Sequence, residues 1–410
     1  MINPQGDSGL ETPVVPPELH GRRRPAPLSR ADRSPIAKWY AEVDRGLLAM
    51  ILGLMAIGLL AVAVASPVAV RTAIRRGQQM GELYYLWRQL FWVVTGTGIL
   101  IFFGMRTKLE VRRIALWGAG LGIVALFAVL LVGAEVNGSQ RWIGSGIFRL
   151  QPSEFLKPMF AIATAWILSC RVEDEKLPVF SLTFVSTGLI AALLMLEPDF
   201  GQTILFVATW VVLVFVAGLP MRTMGFLGGG IVAFLIGTYF LYENARNRIN
   251  GFLFGEGDSH QVDRGLDTLS NSGLIGSGPF TGTAKFRLPE AHTDYIYSVI
   301  GEEFGLIACA AILLLYVALI VRVLQRLREE RDQFVILAGT GLVAQFGGQV
   351  MINIAVNLQL APSKGMTLPF ISYGGSSLWA LSIGMGLLLA LTRRNPYRAP
   401  PLNLNGWNPR

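Results

Sequence analysis

Cysteine and histidine are nearly absent from this chain. Two cysteines, Cys170 and Cys309, stand among 410 residues, one at the end of an apolar run and one inside another. They make neither a metal-ligand spacing nor a disulfide framework, and both read as packing residues. The three histidines, His20, His260 and His292, are too scattered in sequence to suggest a site by themselves. Charge is scarce as well: 15% of residues are charged against 52% hydrophobic, with a mean hydropathy of +0.49. Length alone would suggest two or three soluble domains, but this composition places most of the chain in lipid. The net charge of +8 would invite a nucleic-acid reading in a soluble protein. Here the cations sit in tails and loops beside apolar runs, the pattern that orients a membrane protein. No nucleic-acid motif accompanies them, so no nucleic-acid partner is expected. Repeats of 20–50 residues are missing too.

What the chain does have is apolar length. Residues 1–45, rich in Pro, Arg and small polar residues, carry Arg22-Arg23-Arg24 and no apolar periodicity, which reads as a disordered basic tail. It is not a cleavable signal peptide, because its basic part lies ~20 residues in and no short apolar core with a cleavage site follows. Spans are then expected near 47–66, 86–105, 114–132, 153–170, 179–196, 203–219, 224–242, 300–321, 333–356 and 376–392. An even number leaves both termini on one side. Cations in Arg106–Arg113, Arg171–Lys176, Met221-Arg222, Arg322–Arg331 and Arg393–Arg398 put that side in the cytoplasm. The expected fold is therefore an all-α polytopic membrane protein of about ten transmembrane helices, N-in and C-in. Its parts are a cytoplasmic tail 1–45, a transmembrane domain 46–394 and a second cytoplasmic tail 395–410. A large extracytoplasmic loop, 243–299, joins spans 7 and 8.

The outer loops keep cations of their own: Arg71, Arg75, Arg76, Arg141, Arg149, Arg246, Arg248, Arg264, Lys285, Arg287 and Lys364. Long translocated loops tolerate such charges. A cationic outer face would equally attract an anionic substrate such as a lipid diphosphate. Pro158, Pro198, Pro369 and Gly374-Gly375, inside or beside spans, hint at broken helices lining a cavity.

Ionisable residues gather in a few places. Leu288–Gly305 holds Glu290, His292, Asp294, Glu302 and Glu303 at the edge of an apolar run, where charge is expensive and by default functional. The plainer reading makes Asp294 a helix N-cap. A second cluster runs from Asn137-Gly138 through Arg141-Trp142-Ile143 to Gln151-Pro152-Ser153-Glu154 and Lys157. Pro152 suits the first turn of a helix, which sets Glu154 and Lys157 three apart on one face, able to pair. That pair either neutralises two charges entering the membrane or presents Lys157 to phosphate; Trp142 suits an interfacial anchor. Glu197-Pro198-Asp199-Phe200-Gly201 reads mainly as architecture, with Asp199 capping the next helix. Gly273–Gly278 either lets backbone approach a sugar or diphosphate or simply lends the loop freedom. Ala361–Ser377 breaks helix and exposes backbone donors.

Pro289–Asp294, with Gly301-Glu302-Glu303-Phe304-Gly305, resembles the outer-loop signature of the SEDS family (shape, elongation, division and sporulation). Its members include FtsW and RodA and polymerise peptidoglycan strands from lipid II. The NG…RWI…QPSE..K pattern, EPDFG, the Arg246/Arg248 pair, the glycine patch and APSKGMTLPFISYGGSS resemble other family motifs in the same order. Lys364-Gly365 is the wording of the division branch, the FtsW type. The resemblance implies that Asp294 is catalytic, either as general base or as a ligand of Mg²⁺ or Mn²⁺. It implies substrate contact by Arg141, Trp142, Glu154, Lys157, Arg246, Arg248, Glu290, His292, Lys364 and Ser376. Implied partners are lipid II, membrane lipids, a class B penicillin-binding transpeptidase (FtsI-like) and divisome proteins of the FtsQ/FtsL/FtsB type. The implied location is the bacterial inner membrane at the division septum. A lipid II flippase and a non-catalytic scaffold are the competing functions.

Overall fold

The structure, a computed structural model, describes residues 34–75, 80–136, 139–144, 149–172, 174, 176–241, 246, 250, 259–270, 273–288, 290–362 and 365–394. The chain divides into two units, Met1–Glu42 with Asn395–Arg410, and Val43–Arg394. In the first, a helix α1, Pro35–Glu42, forms where the sequence suggested only a disordered tail. Its start is local chemistry: Ser34 Oγ accepts the Ala37 N–H at 3.1 Å, and Pro35 fits the first turn.

The second unit is built of apolar helices. They are α2 (Arg45–Arg75), α3 (Tyr84–Gly104), α4 (Lys108–Val132), α5 (Pro152–Ser169), α6 (Val179–Leu196), α7 (Phe200–Val216) and α8 (Met221–Leu241). After α9 (Ser259–Ser270) come α10 (Ile296–Leu327), α11 (Gln333–Asn357) and α12 (Gly375–Leu391). A helix falls on every apolar run read from the sequence. Among the described residues seven of them, α2, α3, α4, α6, α8, α10 and α11, are long and apolar enough to cross a membrane. In lipid, where no water can bond to exposed backbone, helices satisfy every N–H and C=O within themselves. α7 and α12 have 17 residues each, and α5 carries Glu154 and Lys157.

The expectation of an all-α fold needs small corrections. A two-stranded antiparallel hairpin, β1 (Ala134–Val136) and β2 (Ser139–Trp142), follows α4. The 243–299 stretch is partly helical, since α9 and a 3₁₀ turn, Ala284–Arg287, lie inside it. α2 outruns its predicted span by more than two turns, so Arg71 lies on a helix rather than in a loop. Its guanidinium sits 4.1 Å from the Phe286 ring centre.

α5, α11 and α12 form the centre. α5 packs against α4, α6, α7, α11 and α12, and α3 lies against α12. α10 is two helical pieces meeting at Gly305, whose φ of 84° an L side chain rarely adopts. There the 273–278 segment clips onto the break: Ser277 and Gly278 N–H donate to the carbonyls of Glu302 and Glu303 at 2.8 and 3.0 Å. A Cβ on Gly276 would stand 2.5 Å from the Glu303 carbonyl oxygen, so the glycine patch and the Glu302-Glu303 motif form one backbone junction.

Candidate active site

Asp294 stands at the head of α10. The cap position belongs to Tyr295, which makes no side-chain capping bond, so the plain N-cap reading of Asp294 does not hold. The turn before it is tight: Glu290 has φ 52°, an uncommon value off glycine, and its carbonyl accepts the Thr293 N–H at 3.1 Å. The main chain of Asp294 is held from α11. Its carbonyl accepts Asn353 Nδ2 at 2.9 Å and Asn357 Nδ2 at 3.0 Å, both from α11. Asn357 Oδ1 in turn accepts the Ser298 N–H and hydroxyl, which ties the first turn of α10 to the same helix. The 365–373 segment closes the other side. Tyr373 N–H donates to the His292 carbonyl at 2.9 Å, Ser372 Oγ to the Thr293 carbonyl at 2.6 Å. A Cβ on Gly365 would stand 3.8 Å from Asp294 Oδ2, which places this segment beside the carboxylate.

The asparagines belong to a longer stripe. Gln345, Gln349, Asn353 and Asn357 recur every four residues on α11 and are all buried. They therefore share one face over about 18 Å of helix. Gln349 Nε2 donates to the Thr367 carbonyl at 2.9 Å, and its Oε1 accepts Lys157 Nζ at 2.7 Å. Lys157 also donates to Glu154 Oε1 at 2.8 Å, and Gln202 Nε2 reaches that oxygen at 2.6 Å. Asp294 and the buried Glu154–Lys157 pair, far apart in sequence, are thus joined by one row of amides. Beside the pair lies a cavity of about 30 Å³, lined partly by Gln345, Gln349 and Phe346, large enough for a water or two.

Arg141 lies elsewhere. It donates through Nε to the Glu197 carbonyl at 3.1 Å and through Nη2 to the Pro198 carbonyl, and stands 3.9 Å from Asp199. Gln151 Nε2 reaches Asp199 Oδ2 at 3.1 Å, so the hairpin region is stapled to the α6–α7 turn. Asp199 caps α7 as the sequence suggested, accepting the Gln202 N–H at 3.3 Å. The Glu197 carboxyl, 1% exposed, makes no hydrogen bond among the described residues. Burial and the Asp199 charge push its pKa up to about 8, against the pull of Arg141.

Two other carboxylates read as functional candidates hold the loop together. Glu302 accepts the N–H groups of Ala284 and Lys285 at 2.7 and 2.8 Å. Glu303 pairs with the buried Lys285 ammonium, which also donates to the Val64 carbonyl at 3.3 Å.

The cell cycle protein model that covers FtsW, RodA and SpoVE matches residues 45–397. The chain belongs to the FtsW/RodA/SpoVE family. A relative in Caulobacter vibrioides, a probable peptidoglycan glycosyltransferase FtsW, is 35% identical over 90% of this chain and 94% of its own length. Its counterpart in Thiomicrospira cyclica is 32% identical over 86% and 93%. Among solved structures, a chain from a peptidoglycan synthase complex that coordinates polymerization and crosslinking superposes with a TM-score of 0.70. That match is at 27% identity over 85% of this chain and 97% of the other. Thermus thermophilus RodA gives 0.64 at 27% identity, over 85% and 96%.

For this FtsW/RodA/SpoVE member the remaining candidates fall as follows. His292 lies 4.6 Å from the Tyr85 ring and 5.4 Å from the Tyr373 ring, centre to centre. Burial holds its pKa below the ordinary value, against the pull of Glu290. Trp142 is half-buried at the end of β2, Ser376 is buried in the first turn of α12, and Arg246 is exposed. Arg248 and Lys364 lie outside the described residues. Sequence reasoning missed the α11 amides, although four amide side chains at four-residue spacing in an apolar run are a legible signal. It also missed Arg88, half-buried on α3, whose guanidinium stands 5.5 and 5.9 Å from the Tyr84 and Tyr373 rings. Among the described residues no three or more His, Cys, Asp or Glu side chains form a metal cage. Asp294 alone suits the Mg²⁺ pattern of one carboxylate, with substrate phosphates and waters as the other ligands.

Proposed function

We infer that this chain is a peptidoglycan glycosyltransferase that polymerises lipid II into β-1,4 glycan strands for septal wall synthesis. The observation that carries the reading is Asp294, placed at the head of α10 by the amides of Asn353 and Asn357 that grip its backbone carbonyl, beside the 365–373 segment. We place ten spans in the inner membrane, N-in and C-in, which puts Asp294 on the outer face. The substrate's sugar is α-linked to a polyprenyl diphosphate, so one displacement by a 4-hydroxyl gives the β bond. The C1–diphosphate bond breaks as the C1–O4 bond forms. Asp294 takes the hydroxyl proton, and cations stabilise the departing diphosphate.

Lys157 and Arg141 are both engaged in the resting structure, and Arg88 joins them, with Arg248 and Lys364, as a candidate for that contact. A divalent cation held by Asp294 would supply the same stabilisation when bound. Partners on this reading are a class B penicillin-binding transpeptidase (FtsI-like) and FtsQ/FtsL/FtsB-type divisome proteins. One observation favours the flippase as a second reading: the α11 amides carry polar groups deep into the bundle, where a carrier needs them. The adjoining cavity, about 30 Å³, has room for a water or two and not for a disaccharide, and that argues for chemistry at the surface. Incubating the purified protein and its transpeptidase with labelled lipid II decides between them. Glycan polymer on a gel supports the enzyme, and lipid II crossing vesicles without polymer supports the carrier.

A further inference from the structure

A cavity of about 440 Å³ opens at the other end of the bundle, between the start of α4, the end of α5 and the start of α11. That volume lies within the range of ligand sites. Leu109, Trp166 and Phe334 give it an apolar wall; Lys108, Arg112 and Asp332 give it charge. Lys108 and Asp332 answer one another at 3.2 Å, and Glu330 adds a contact to Lys108 at 3.8 Å. Arg112 is different. Its guanidinium carbon lies 5.4 Å from the Trp166 ring centre, and among the described residues no carboxylate pairs with it. A guanidinium carried on an indole face keeps its forked N–H groups available to a phosphate.

The surroundings indicate what brings the phosphate. Leu109 is exposed, and α4 continues from it with an outward row of Trp117, Leu121, Val124 and Leu131, the face a lipid chain would lie against. We propose that this cavity holds the phosphate headgroup of an anionic phospholipid, with its acyl chains along α4. Its assignment to the cytoplasmic leaflet rests on the orientation above; the contact itself does not. Basic pockets between transmembrane helices on that side are suited to such headgroups.

Native mass spectrometry of the full chain, loaded with equal phosphatidylglycerol and phosphatidylcholine, reads the preference directly. The wild type should retain phosphatidylglycerol over phosphatidylcholine. Arg112→Gln should lower that preference about fivefold, the worth of one cation at an anionic surface. Arg112→Lys should keep part of it, and Arg113→Gln, at the exposed neighbour, should change nothing. Equal retention in wild type and Arg112→Gln, with both folded by melting temperature, overturns the proposal. So does displacement of the lipid by millimolar inorganic phosphate, which would mark a general anion site. Binding of a soluble poly-glutamate peptide in preference to phosphatidylglycerol would overturn it in favour of an acidic protein segment.

Discussion

Asp294 and Asp44 stand at opposite ends of the bundle, each next to the start of a long helix, and the bonds seen to position them differ in kind. Asp44 is gripped by its side chain. Its carboxylate meets Arg322 and Arg326 at 2.7 Å each and caps α2 through the Gly46 and Leu47 N–H groups at 3.0 and 3.1 Å. The Asp294 main chain is gripped by two neutral amides from α11. The first arrangement commits a carboxylate to architecture. The second fixes the backbone from which a carboxylate projects, using neutral amides, and a fixed position is what a base requires.

The sharpest break in that contrast comes from Asp294→Asn. It should lower glycan polymerisation by about 10²–10⁴-fold, the usual contribution of a general base, with melting temperature and transpeptidase binding unchanged. An active, folded Asp294→Asn would put this residue in the same class as Asp44. Glu154 and Lys157 come next. Removing either leaves a buried charge unanswered, costing about 3–5 kcal/mol, read as a fall in melting temperature. Exchanging the two should restore folding. It should not restore activity if Lys157 serves the diphosphate, and full activity in the exchanged protein would make the pair structural.

Asp44→Asn should destabilise by about 1–3 kcal/mol, with the rate per folded molecule kept. Its partners hold its pKa at about 2 in spite of burial, below the ordinary 3.8. That contribution is present above pH 3.8 and lost as pH falls through about 2. Thermal scans across acid pH should show the loss in wild type and not in Asp44→Asn. Glu197 has the opposite sign. Its raised pKa makes it favour folding at low pH, and stability should decline as pH rises from 4.5 to about 8. Glu197→Gln should flatten that slope; an unchanged slope would mean that Glu197 is not its source.

Much of this was legible in the residues. The apolar runs marked every long helix of the bundle, because length and hydropathy are what lipid selects. Asp199 as a cap and the Glu154–Lys157 pairing followed from spacing. The partners of charged groups did not follow. Arg141 reads as a free outer cation until the α6–α7 turn is folded beneath it. Lys285 reads as a loop charge until Glu303 is brought to it. α9 was overlooked for a related reason: Val262, Leu266 and Leu269 are a short apolar stripe in a polar stretch, and only folding brings Leu269 against Gly301 of α10. The asparagines that hold Asp294 lie about 60 residues further along the chain and announce themselves only as polar residues in an apolar run.

The contrast between the two aspartates is tested most directly by one paired measurement, the polymerisation rate per folded molecule in Asn353→Ala and in Asp44→Asn. Each removes hydrogen bonds from an aspartate's surroundings, at a stability cost of about 1–3 kcal/mol. Asn353→Ala frees the Asp294 carbonyl on one side, and a misplacement of about 1 Å is worth as much as 10²-fold in rate. The account predicts a rate lowered at least tenfold in Asn353→Ala and unchanged in Asp44→Asn. Equal rates in the two variants at matched melting temperature would contradict it.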